Sequence, residues 1–97
     1  MTRFDQAKVL MQARKLQKEL QREIITVDAG EGAVKVEISG EQKLKKIHID
    51  PERIDLEDIG QLESWLEDAV KEAINQSQKL AAEKMQPLMG SLGNLGL

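Results

Sequence analysis

An α+β fold of order α-β-β-β-α is predicted by three patterns. A Gly- and Pro-free stretch near the N-terminus has apolar residues three and four apart, a middle segment alternates with period two, and a second long helical stretch follows an Asp-Pro step. The first helix is expected from about Arg3 to Glu23, where Gln, Lys, Arg and Glu fill the positions between apolar residues and lose little rotamer freedom in a helix. At 100° per residue Val9, Ala13, Leu16, Leu20 and Ile24 point one way, toward a core. The β-branched cluster Ile24, Ile25, Thr26 and Val27 crowds a helical turn, so a strand is expected to begin there.

In the middle segment Val34, Val36 and Ile38 alternate with Lys35, Glu37 and Ser39, the pattern of a strand with one buried side. Ile47 and Ile49 form a shorter row expected to face inward, with Lys46 and His48 outward. Ala29-Gly30-Glu31-Gly32 and Ser39-Gly40-Glu41 supply residues that tolerate positive φ. A three-stranded antiparallel meander results, ended by Asp50-Pro51 because proline lacks the ladder donor. Asp55 or Asp58 is placed to cap the second helix. That helix is expected from Gln61 to about Met85, with a stripe through Leu62, Leu66, Ala69, Ala73, Ser77 and Leu80 and Val70 beside it. Pro87 is expected to stop it, which leaves a single domain over 1–87 and a flexible Gly/Leu-rich tail over 88–97.

With 97 residues the chain forms one domain that buries only about two-thirds of its unfolded surface, a size at which a partner subunit helps. The absence of cysteine excludes disulfides and thiolate sites, and no apolar run approaches the roughly 20 residues of a membrane span. A cytoplasmic location is expected, with no membrane partner. The net charge of -3 hides an asymmetry: residues 1–48 carry ten Lys and Arg against seven Asp and Glu, residues 49–97 four against ten. Bulk charge therefore does not coat a polyanion, but a local surface can meet one.

Such a surface is legible on the first helix. Lys8, Lys15, Lys18 and Arg22 share the face opposite the apolar stripe, with Arg14 at its margin. Taken alone, these cations are also what a solvated helix face shows, paired with Glu19 or Glu23 at helical spacing. The acidic residues lie toward one flank, however, and Lys43, Lys45 and Lys46 add charge near the third strand. Catalytic and metal chemistry find no support: His48 is the single histidine, without a second His or Cys to complete a metal site or dyad. Glu63, Glu67, Asp68 and Glu72 are scattered over a solvated helix face, a poor basis for a hydrolase. Gly30-Glu31-Gly32 leads into a strand and lacks the GK[ST] ending of a phosphate loop. Trp65 is expected between helix and sheet, and with Phe4 makes too few aromatics for a base-stacking platform. No cofactor and no small-molecule substrate are expected.

A helix of about 25 residues is roughly 37 Å long, against about 23 Å for a seven-residue strand. Both helices are expected to overhang the sheet, carrying second apolar patches at Phe4, Ala7 and Met11 and at Ile74, Ala81 and Met85. Patches of this kind meet a partner, and a homodimer is the economical choice.

The opening Gln/Lys-rich helix, the run Gly30-Glu-Gly-Ala-Val-Lys-Val36, the later Ile47-His-Ile-Asp-Pro51, the Leu/Ala-rich second helix and the Gly/Leu tail resemble the YbaB/EbfC family of small bacterial nucleoid-associated proteins. The resemblance covers nearly the whole chain, except that the family's Gly/Met-rich leader is reduced to Met1-Thr2-Arg3. It implies an α-β-β-β-α subunit, a tweezer-like homodimer and binding of double-stranded DNA that helps organise the nucleoid and affects gene expression. It supplies no catalytic motif and no short signature for DNA contacts. The contact residues expected from charge are Lys8, Arg14, Lys15, Lys18, Arg22, Lys45 and Lys46. The rival is a holdase-like protein-interaction module whose overhanging helices grip another chain. Salt weakens phosphate contacts and leaves apolar capture intact.

Overall fold

The computed structural model describes the backbone of residues 3–94 and the side chains of residues 5–90. The elements are α1 (Arg3–Arg22), β1 (Ile24–Ala29), β2 (Val34–Ser39), β3 (Leu44–Ile49), a 3-10 turn at Pro51–Arg53 and α2 (Ile59–Asn94). The strands form one antiparallel sheet in the order β1-β2-β3, the α-β-β-β-α architecture that the sequence predicts.

The core lies where α2 crosses β1 and β2. Val27, Val34, Val36 and Ile38 meet Ala69 and Ala73 there, and Leu62, Trp65, Leu66 and Val70 close the margins. Small residues on this stripe of α2 let its backbone approach the sheet closely. Ser77, fully buried on the same stripe, donates to the Ser39 carbonyl at 2.6 Å and accepts from Gln42 N and Nε2 at 3.1 and 3.0 Å. A buried hydroxyl left without partners costs about 1–3 kcal/mol. Here its hydrogen bonds fasten the β2–β3 turn to α2.

Of the two capping candidates Asp58 is the one that serves α2, its Oδ1 accepting from Gln61 N at 3.2 Å. Asp55 instead closes the turn before it, accepting from Glu57 N. The β1–β2 turn has positive φ at Gly30, Glu31 and Gly32, as a tight hairpin requires. In the β2–β3 turn the positive φ falls on Gln42 and not on Gly40. Gly40 is required for a different reason: its N–H donates to the carbonyls of Leu20 (2.9 Å) and Glu23 (3.1 Å), and a Cβ there would lie 2.8 Å from the Leu20 oxygen. This contact joins the end of α1 to the sheet.

Three further expectations need correction. Ile47 and Ile49 sit opposite Val36 and Val34 in the register, on the predicted side, yet each is 42% exposed. Helix α2 covers β1 and β2 and stops short of β3, and alternation specifies a face without specifying a cover. Ile24, assigned to the apolar face of α1, begins β1 and is exposed. Its inward-facing neighbour Ile25 packs on the core instead.

Pro87 does not end α2, which continues to Asn94. Proline removes one donor and crowds the carbonyl four residues back, which disfavours a helix without forbidding it. Pro87 and Leu88 line a groove with Gln12 and Leu16 of α1. Of the expected tail, 88–94 is therefore helical, while 95–97 and the Phe4 side chain lie outside the described residues.

Both helices overhang the sheet as expected. Beyond Gly40, α1 runs antiparallel to the C-terminal half of α2, Glu19 and Glu23 facing Lys84 and Gln12 facing Leu88. The two helices make an arm on a molecule measuring 64 × 19 × 15 Å. The twenty residues of α1 contribute roughly 30 Å to it.

Candidate nucleic-acid interface

The arm presents the cationic stripe to solvent. Lys8, Arg14, Lys15, Lys18 and Arg22 are all exposed, while Val9, Ala13 and Leu16 are half-buried and Leu20 is buried on the opposite side. Among the described residues none of these five cations forms an ion pair. Glu19, the carboxylate at helical spacing from Lys15 and Arg22, turns elsewhere: with Glu23 it approaches the ammonium of Lys84, at 3.8 and 3.6 Å.

Lys84 is the residue of this surface that sequence reasoning missed, although a signal was present. It continues the buried stripe of α2, four residues after Leu80 and seven after Ser77. A long cation on an apolar seam lays its stem along the neighbouring helix and needs a carboxylate for its head. Lys84 is half-buried and lines the α1–α2 groove with Lys15, Leu16 and Glu19.

Lys45 and Lys46 belong to the sheet and not to the arm. Both are exposed on β3, where the register skips one residue between Lys46, opposite Glu37, and Leu44, opposite Ile38. Lys45 is the extra residue of that bulge. Lys46 faces a carboxylate across the strands, and Lys43 precedes β3 and pairs with Glu41 at 3.3 Å. His48 is exposed and lies 3.3 Å from the same Glu37, as a solvated sheet face allows.

The acids of α2 show no catalytic arrangement. A hydrogen bond of 2.6 Å from Lys71 holds the Glu67 carboxyl below its ordinary pKa, and Glu67 raises that of Lys71 in return. Both groups are fully solvated, so the pair is a surface contact without the burial that tunes a general acid. Among the described residues no group of three or more His, Cys, Asp and Glu is placed to hold a metal ion.

The apolar patches are exposed as well. Met11 is 70% exposed and, with Ala7, lies between Lys8 and Lys15 in a shallow depression on the cationic side of α1. Ile74 and Met85 are exposed on α2, with Ala81 half-buried. The row Leu44, Ile47 and Ile49 on β3 is a further apolar surface, 51%, 42% and 42% exposed.

Fold and surface together define a small α+β protein with a cationic two-helix arm and an uncovered edge strand. The pattern of the YbaB/EbfC DNA-binding family matches residues 2–92, and the chain belongs to that family, one of DNA-binding proteins and not of enzymes. A nucleoid-associated protein of Chloroflexus aurantiacus is 39% identical over 84 residues, 87% of this chain and 84% of that one. One from Desulforamulus reducens is 39% identical over 97 aligned positions, 93% of this chain and 92% of that one. One from Corynebacterium glutamicum is 35% identical over 102, covering 98% and 99%. The crystal structure of an uncharacterized protein from Helicobacter pylori shares the fold with a TM-score of 0.64, at 22% identity over 75% of this chain and 84% of that one.

Proposed function

We propose that this protein binds double-stranded DNA as a homodimer, mainly through phosphate contacts from the α1 stripe, and helps organise the nucleoid with consequences for gene expression. The observation that carries the reading is the set of exposed cations on α1, with Glu19, the carboxylate at helical spacing from Lys15 and Arg22, engaged by Lys84. Lys8, Lys15, Lys18 and Arg22 are the principal contacts, with Arg14 at the margin. Lys45 and Lys46 are secondary. Contacts of this kind read backbone charge and not base edges. The names of the relatives support a nucleoid location, and no helix of the described residues is long and apolar enough to cross a membrane. Anisotropy of a labelled duplex is the test. Affinity is expected to fall at least tenfold between about 50 and about 200 mM salt, since each released counterion steepens the dependence. A salt-independent affinity would remove phosphate contact as the mechanism.

Dimerisation is supported by β3. It is an edge strand whose Leu44, Ile47 and Ile49 are exposed on the side that elsewhere forms the core. Bare edges and apolar rows of this sort attract strands, and a second copy adding there covers both. Ile47→Glu is expected to shift the protein to a monomer in light scattering at micromolar concentration. A dimer that persists unchanged would place the subunit contact elsewhere. Exposed Met11 favours a second reading, capture of another protein on the same face of α1. High salt discriminates, because apolar capture survives it.

A further inference from the structure

We infer that Lys84 is a positioning residue for the DNA interface: it holds the Glu19 and Glu23 carboxylates at the α1–α2 seam and so keeps the α1 cations free for phosphate. This rests on the proposed role of the stripe. Glu19 stands four residues after Lys15 and three before Arg22, spacings at which side chains meet on a helix. Glu19 and Glu23 are themselves four apart, a like-charge pair that repels unless a cation sits between them. The Lys84 ammonium occupies that place, 3.8 Å from one carboxylate and 3.6 Å from the other. It comes from the opposite helix, in a groove that Lys15 and Glu19 also line, so it competes with Lys15 for the Glu19 carboxylate. Without it the Glu19 carboxylate is drawn to Lys15 or Arg22, and each such pairing withdraws one cation from the backbone of a duplex. Lys84 itself is half-buried in the seam and not part of the exposed face.

A double-mutant cycle with a labelled duplex tests this at several salt concentrations. Lys84→Met is expected to weaken binding about threefold to tenfold near 0.1 M salt and to flatten the salt slope by up to about one unit, the effect of one lost counterion. The pair Glu19→Gln with Glu23→Gln is expected to tighten binding, and adding Lys84→Met to that pair should change nothing further. Lys84→Arg should restore native affinity and slope. Circular dichroism melts of each variant separate loss of binding from loss of fold. An equal loss from Lys84→Met with and without the two glutamates would mean that Lys84 touches phosphate itself, and would overturn the inference. So would native affinity in Lys84→Met. If Lys15→Glu with Lys18→Glu also leaves binding untouched, the stripe itself has failed. If that pair abolishes binding while Lys84→Met is silent, only the role of Lys84 has.

Discussion

Reversing Lys15 and Lys18 together to Glu is expected to lower affinity for any duplex by about a hundredfold near 0.1 M salt, where each lost phosphate contact is worth roughly tenfold. Both side chains are exposed, and neither forms an ion pair among the described residues. The fold does not depend on them, and thermal stability should stay within about 0.5 kcal/mol of native. The loss should be the same for unrelated sequences, because contacts to phosphate carry no base information. The slope of log affinity against log salt should become shallower by about two. Lys45→Glu with Lys46→Glu should do less, since both lie on β3 and not on the α1 stripe. Anisotropy titrations of two unrelated duplexes measure all of this. Unchanged binding after reversal of Lys15 and Lys18 would take the stripe out of the interface.

The stripe was legible because both of its determinants are local. A 100° rotation and the identity of the side chain specify which residues of α1 share a face, and the helix needed only its own periodicity to be recognised. The buried rows Val34–Ile38 and Ala69–Ser77 were legible for the same reason. What escaped depended on pairs distant in the chain. Lys84 meets Glu19 across the arm, and the exposure of Ile47 depends on where α2 happens to run. Period two assigned Ile47 the right side of the sheet, but the width of one helix cannot cover three strands some 4.8 Å apart. The continuation of α2 past Pro87 to Asn94 runs against the local preference for a stop. At Gly40 the expected reason, a positive φ, falls on Gln42 instead, and the actual one, the carbonyl of Leu20, lies twenty residues away.

Gly30→Ala is expected to destabilise the protein by about 2–4 kcal/mol, a large part of the roughly 5–15 kcal/mol that holds a chain of this length folded. Two independent costs meet at this residue. Its φ of +63° lies in the left-handed region, which costs a residue with a side chain about 1–2 kcal/mol. An added Cβ would also lie 2.5 Å from Trp65 Cδ2 and 2.7 Å from Cε2 and Cε3. The obstacle is the rigid face of an indole ring, so relief requires the ring to leave the turn and give up packing against the core. Gly32→Ala separates the two costs. Its φ is +90° and nothing lies within 4 Å of its Cβ position, so only the backbone term applies and a loss of about 1 kcal/mol is expected. Urea denaturation followed by the fluorescence of Trp65, the sole tryptophan, measures both variants. Equal losses at the two glycines would show that the indole yields freely. The Gly30 turn lies at the end of the sheet remote from the β2–β3 turn, where Gly40 joins the arm. Gly30→Ala should therefore lower the folded fraction on heating while leaving the duplex affinity of the folded molecule unchanged.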